Sequence, residues 1–318
     1  MKKSLLTLGA AVLALVACNK SQTVVSEPAQ GIGFKAATMA ATKTNPELVG
    51  NTLTSTYYIY AAASTDQDPR YFLKTAFKTT DTTPVAESSI YKPDTPIYWP
   101  IGGAAVDFLA YATPDGSTDV LAGAFDAARS ASSLTFADWD TYANQLDIVY
   151  AAANDQTDTK NPVLLTFNHA QALLGFTAKA SKDAVFTINS ITVKNLLTQG
   201  TLTIDNTRNT PEATWSNFAA AADQTVKNVT ATTLTTTAAP LGDHLLVPSQ
   251  TACDFVINYT LNGKYYDYEV NNVRTNWQAG KKYIYALYFD VNEINFQEIV
   301  ADWGIDVTFE GFGSEIAL

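Results

Sequence analysis

Alternation of apolar and polar positions dominates the chain from residue 53 onward. In TLTSTYYIYA, Leu53, Ser55, Tyr57, Ile59 and Ala61 share one face, and in AVDFLAY Val106, Phe108 and Ala110 do the same. This is the period-two pattern of a strand with one buried face. Phe186 and Ile188 in AVFTINS continue it, as do Tyr283, Tyr285, Leu287 and Phe289 in KKYIYALYFDV. The sharpest local signal is CDFVINYTLNGKYYDYEV. Asn262-Gly263 supplies two residues that tolerate positive φ, as a type I′ turn requires, with Phe255, Ile257, Tyr259 and Leu261 alternating before it and Tyr266, Tyr268 and Val270 after it.

Many short strands separated by turn residues predict an all-β fold of sandwich type rather than βαβ units. Residues 117–145 are Ala-rich and lack alternation, which predicts one or two short surface helices inserted between strands. The polar stretch AANDQTDTKNP, residues 152–162, ends in Asn161-Pro162 before the apolar VLLTF and is the best candidate domain boundary. Residues 219–239, rich in Thr and Ala, read as a weak strand pair with a long loop. The expected organisation is a signal peptide over 1–17, a spacer over 18–30, an N-terminal β-sandwich domain over 31–157 and a C-terminal one over 158–318.

The amino terminus departs from this pattern. MKKSLLTLGAAVLALVAC places Lys2 and Lys3 before a short apolar run that ends at Cys18. Charge followed by a run too short to span a bilayer is the layout of an export signal. Leu15-Val16-Ala17-Cys18 resembles the lipobox of bacterial lipoproteins. That resemblance implies diacylglycerol on the Cys18 sulfur, cleavage before it and acylation of the new amino terminus. Each buried methylene contributes ~0.8 kcal/mol, so two or more chains hold a protein stably where one does not. The alternative is an ordinary signal in which Cys18 is incidental.

With Cys18 lipidated, Cys253 has no partner for a disulfide. In the alternating string CDFVINYTL it reads as a small buried side chain rather than a reactive thiol. Two histidines and one free cysteine argue against a zinc cluster. Thirty-one acidic residues against 20 basic ones give a net charge of −11, which argues against nucleic acid as a partner. His169 in FNHAQ and His244 in GDHLL have no nearby cysteine nucleophile or Gly-X-Ser-X-Gly elbow, so the chain is expected to be no enzyme and to need no cofactor. The Asp-rich strings at 64–68 and 154–158 lack EF-hand spacing and read as solvated loops. Tyr98-Trp99 between Pro96 and Pro100 reads as a strand entry whose Trp packs into the first sandwich, with a sugar-stacking platform as the alternative.

Several segments taken in order, GIGFKAATMAATKT, IYWPIGGAAVDFLAYATP, LDIVYAAA, PVLLTFNHAQALLGFTAKA, LLVPSQ, NWQAGKKYIYALYF and IVADW, resemble the fimbrillin family of Bacteroidales. The resemblance covers nearly the whole mature chain. It implies a lipoprotein precursor of a type V pilus subunit, with two transthyretin-like β-sandwich domains in tandem. It also implies assembly by strand exchange. A trypsin-like protease cuts after a basic residue near the first strand, and a neighbour's extended segment fills the groove that strand leaves. Lys43, in the polar context AATKTNPE, is the candidate cleavage residue, and Lys35 within the strand is a poorer one. The alternative for Lys43 is an exposed lysine in a loop.

After Trp303 the chain reads GIDVTFEGFGSEIAL. Ile305, Val307 and Phe309 share a face, and Phe312, Ile316 and Leu318 follow glycines that permit a kink; these six are the candidate donor strand. Residues 303 to about 310 as the last strand of their own domain, with only the final few residues loose, are the competing reading; the favoured one is a split, with Trp303 to about Glu310 in the home sheet and 311–318, or an extended version of them, available as donor. Expected partners are other fimbrial subunits, outer-membrane lipid through Cys18, and host or bacterial surface ligands. The alternative function is a monomeric surface lipoprotein that binds glycan through exposed aromatics.

Amino-terminal sequencing of the protein from sheared fimbriae reads these expectations out. A start at Thr44 follows from cleavage at Lys43, whereas a lipidated Cys18 marks a subunit that keeps its anchor.

Overall fold

The structure, a computed structural model, describes residues 31–38, 58–79, 89–113, 119–157, 159–208, 210–271, 273 and 276–303. Cys18, Lys43 and the six candidate donor residues from Ile305 to Leu318 lie outside the described residues. The first elements are β1 (Phe34–Thr38), β2 (Tyr58–Ser64), β3 (Phe72–Lys78), β4 (Lys92–Pro93), β5 (Val106–Thr113), β6 (Ala124–Phe125) and β7 (Ser133–Asp140). One helical turn, α1 (Thr141–Asn144), precedes β8 (Val149–Gln156), β9 (Val163–His169), β10 (Ala172–Ala180), β11 (Phe186–Leu196), β12 (Gln199–Asp205) and β13 (Glu212–Ser216). Short pieces β14 (Ala222–Thr225), β15 (Thr232–Thr233), β16 (Ala239–Pro240) and β17 (Leu245–Val247) lead to β18 (Phe255–Leu261), β19 (Lys264–Val270), β20 (Lys281–Phe289) and β21 (Ile294–Asp302).

These strands form four sheets. The largest has the order β1-β9-β8-β5-β2-β3-β4, and it curls until its ends meet, because Phe34 in β1 bridges Tyr91 beside β4. Val106, Phe108, Ala110 and Ala112 of β5 face the inside of the curl with Ile59, Ala61 and Ala63 of β2. The opposite face of β5 carries Leu109 and Tyr111, which pack under a second sheet of order β13-β12-β7-β6. Both faces of the central strands are therefore buried, which is why AVDFLAY is apolar nearly throughout. The remaining sheets, β16-β10-β20-β21 and β14-β11-β18-β19, enclose a separate core of Phe176, Ile191, Phe255, Tyr285 and their neighbours.

The hairpin at Asn262-Gly263 forms as its alternation predicts. Both residues have positive φ, 47° and 84°, and Leu261 pairs with Lys264 across the turn. Residues 117–145 hold one short helix between strands, α1, as expected, and the rest of the described part is largely strand, with Leu134 and Phe136 of β7 turned into the core. The Asp140 carboxylate caps that turn by accepting from the Ala143 N–H at 3.0 Å. SSLTFADW does alternate, but the Ala-rich residues before it mask the signal.

Connectivity also crosses the division expected at residues 157 and 158. β8 and β9 on either side of it are neighbours in one sheet, with Val149 opposite His169, so the polar stretch 152–162 joins two paired strands. β12 and β13 return from the second sandwich to pair with β7. Within 219–239 the short strands pair with β11 or β10 rather than with each other, because the long flanking strands offer complete ladders.

Phe108 sits where the first core is densest, with ring centroids 5.3 Å from Phe34, 6.1 Å from Phe72 and 5.9 Å from Trp99. Phe108→Ala should lower the unfolding free energy by about 3–5 kcal/mol, measured by urea denaturation, with no change in far-ultraviolet strand content.

Candidate functional site

The position of β1 singles it out. Strands within one chain that follow each other by short turns pair antiparallel, yet β1 lies parallel to β9, from Phe34 opposite Val163 to Thr38 opposite Phe167. Its other edge is occupied too. The Ile32 N–H donates to the Ile97 carbonyl at 2.7 Å, the Phe34 N–H to Tyr91 at 3.0 Å, and the Tyr91 N–H back to Phe34 at 2.8 Å. β1 thus fills a slot in the curled sheet with partners on both sides, a place that excludes proline at the donating positions.

Side chains anchor it in alternation. Ile32 and Phe34 are 1% and 0% exposed, and Ala36 packs against the same core. The Phe34 ring lies 4.4 Å from Phe77 and 5.3 Å edge-on to Phe108. Alanines on β2 and β5 leave the volume that this ring takes. Gly33 faces the other way, where a Cβ would lie 3.1 Å from Ile90 Cγ2 and 3.3 Å from the Tyr91 carbonyl oxygen. Fully burying an Ile or Phe contributes about 1.5–3 kcal/mol, so these two residues hold β1 firmly even without a covalent continuation.

The slot gathers residues that the sequence reading touched only in part. Ile32 and Phe34 were visible as the start of an extended segment, and Lys35 lies within β1 as expected. Gly33, Tyr91 and the parallel partner Val163 were not. A glycine before a phenylalanine recurs as Gly175-Phe176 in β10, a strand that is also paired in parallel, whereas no local pattern marks Tyr91 or Val163.

At the far end of the described chain, Trp303 is buried and stacks on His169 with centroids 4.0 Å apart and planes 5° from parallel. His169 Nδ1 lies 2.8 Å from Asp147 Oδ2. The histidine is a packing and hydrogen-bonding residue here. It fixes the point from which residues after 303 depart.

Other candidates disperse. Trp99 is half-buried with its ring edge-on to Phe108, which leaves Tyr98 as the exposed member of that pair. The Tyr98 carbonyl accepts from the Tyr71 hydroxyl. His244 is separate from His169, and burial holds its pKa below the ordinary value. Cys253 is half-buried, and burial with the nearby Asp254 pushes its thiol up to about 11, so it is protonated at neutral pH. Asp68 accepts from the Arg70 N–H and Asp107 from the Asp155 N–H, so the two Asp-rich strings close local turns and contacts. Among the described residues no group of three metal-ligating side chains converges.

Comparison with known proteins points to one family. A family model described as fimbrillin-like matches residues 41–303. A crystal structure of a fimbrial protein from Bacteroides vulgatus is similar at 14% identity and TM-score 0.57, covering 86% of this chain and 99% of that one. Candidate cell adhesion proteins from Bacteroides uniformis and Bacteroides ovatus are similar at 18% and 13% identity with TM-scores of 0.54 and 0.56. The two alignments cover 86% and 88% of this chain and 98% and 100% of those chains. No curated protein matches the sequence.

Phe34→Ala should loosen the slot selectively. Amide hydrogen exchange at residues 34–38 is expected to speed up at least about tenfold, while exchange in the β18–β19 hairpin stays as it is. Uniform acceleration across both cores would instead mark Phe34 as a general core residue.

Proposed function

The chain belongs to the fimbrillin-like family, and from that premise we propose that it is a structural and adhesive subunit of a cell-surface fimbria. In this reading it is exported as a lipoprotein through Cys18 and reaches the outer membrane by its lipid. Cleavage after Lys43 then frees β1, and polymerisation follows when a strand from another subunit takes the vacated slot. The observation that carries the proposal is β1 itself: the first of the described strands, parallel to β9, buried on its apolar face and bonded on both edges.

The physical course follows from that geometry. Lys43 lies beyond Thr38 in the segment joining β1 to β2, so a cut there leaves β1 in place by contacts alone. Its two buried anchors make spontaneous loss slow, and loss without replacement would expose Phe77, Phe108 and the ladder edge of β9 to water. An incoming strand that remakes the same bonds avoids that exposure. Exchange is therefore favoured over simple release, with main-chain pairing giving affinity and the alternate pockets giving selectivity. Once Lys43 is cut, Cys18 and its lipid leave with β1, so the anchor serves delivery in a processed subunit and attachment in an uncut one.

Trypsin treatment of the purified full-length chain tests this. Detergent-resistant ladders should appear with a new amino terminus at Thr44, and Lys43→Ala should remain monomeric under the same treatment. Ladders of uncut chain, or a cleaved chain that stays monomeric at high concentration, would overturn the proposal.

A further inference from the structure

The connection between β4 and β5 is uncharged from Thr95 through Val106. Asp94 and Asp107 bound it, and both carboxylates are already paired, Asp94 with Lys78 at 2.7 Å and Asp107 with Arg129 at 2.8 Å. The segment is thus an electrically neutral tip. Its apolar residues divide by direction. Ile97 and Trp99 pack on the first core, whereas Tyr98 is 50% exposed and Ile101 fully so, at 104%. The fold does not require an isoleucine at 101, because a side chain so exposed packs against nothing.

The tip is also held in place. Pro96 and Pro100 fix two φ angles, Gly102 and Gly103 take positive φ of 96° and 73°, and the Gly103 N–H donates to the Pro100 carbonyl at 3.3 Å. The Tyr71 hydroxyl donates to the Tyr98 carbonyl. Apolar side chains presented on so constrained a turn lose little backbone freedom when a partner covers them.

What covers the tip follows from where the chain enters the body. Gly31 bridges Tyr98, so the segment that arrives from Cys18 reaches the first sheet beside the tip. Gly31 lies thirteen residues beyond Cys18, a span of at most ~45 Å when fully extended. A bilayer that holds lipid on Cys18 is therefore always within that reach of Tyr98 and Ile101, and tethering raises the effective concentration at which even a small apolar contact is tried. We propose that residues 98–101 form a second membrane contact, with the Tyr98 ring at headgroup level and Ile101 at the acyl boundary. Tyrosine suits that level because one end of its ring is apolar and the other polar. The proposal rests on the lipidation of Cys18 put forward above.

Charge defines the kind of surface that fits. The Tyr71 contact brings the β2–β3 connection beside the tip, and with it the exposed Asp66 and Asp68 against the exposed Arg70. That balance offers no basic patch to anionic headgroups. The contact is apolar rather than electrostatic, so it needs no anionic lipid and does not weaken with salt. Seated this way, the molecule turns the Thr38 end of β1 away from the bilayer, ~23 Å along the strand from Gly31. The chain then leaves toward Lys43 on the side that a soluble protease can approach.

Vesicle tethering tests the tip independently of lipidation in the cell. The mature chain from Cys18, carrying Cys253→Ser, is coupled through the Cys18 thiol to a maleimide lipid in phosphatidylcholine vesicles with brominated acyl chains. Bromine quenches only tryptophan close to it, and Trp139, Trp215, Trp277 and Trp303 are all buried, which leaves Trp99 as the reporter. Quenching is expected in the parent at low and high salt alike and absent from Trp99→Phe. Ile101→Asp should reduce it on the order of tenfold, with a thermal melt that matches the parent. No quenching in the tethered parent, or quenching that survives Ile101→Asp, would overturn the membrane contact. Self-association of the untethered chain that Ile101→Asp abolishes, without quenching on vesicles, would overturn it as well and assign the tip to a second copy. Mass spectrometry of Cys18 in protein taken from cell membranes reads the anchor separately: an unmodified thiol would overturn the lipidation, and with it the tip's role in the cell, whatever the vesicles show.

Discussion

Phe34 joins β1 to two neighbours at once: its amide and carbonyl exchange bonds with Tyr91, while its strand carries a parallel ladder to β9. That double attachment closes the seven-stranded sheet and seals a core of Phe72, Phe77 and Phe108 from water. An open sheet of this length would present two unpaired edges, which are templates for pairing with another chain. In this protein the edges are covered by the first of the described strands, which a single backbone cut after it can disconnect from everything downstream.

The rest of the molecule makes that arrangement tolerable. The outer face of β5 and β8 is covered by the four-stranded sheet, so Leu109, Tyr111 and Tyr150 stay buried whatever fills the slot. β12 and β13 of that cover arrive from beyond β11, so the chain stitches the two sandwiches together more than once. At their junction the Gln171 side chain accepts from the Ile148 N–H, Gln145 bonds the Leu246 backbone in both directions, and Trp303 lies on His169. These contacts involve no residue of β1, so the remaining body does not depend on β1 for its connections.

Much of this was legible along the chain. The β18–β19 hairpin follows from Asn-Gly between alternating runs, since the turn needs two positive-φ residues and little else supplies them. The buried face of β5 follows from Val106, Phe108 and Ala110. β7 was obscured because the Ala-rich residues before it carry no period, and the composition of 152–162 does not reveal that β8 and β9 on either side of it are paired. Of the slot, Ile32 and Phe34 could be read as an extended apolar pair, but not what they face.

The sequence by itself determined the all-β class, the β18–β19 hairpin, the buried face of β5 and the excess of acidic residues, because each depends on composition or on residues near one another in the chain. Only the tertiary structure decided that β1 runs parallel to β9, that Tyr91 closes the sheet against it and that Gly33 faces Ile90. Those depend on residues far apart in sequence, between Phe34 and Tyr91 and between Phe34 and Val163. Hydrogen-bond direction and side-chain clearance at such distances are set by how the whole sheet curls, and no local pattern of apolar and polar residues encodes them.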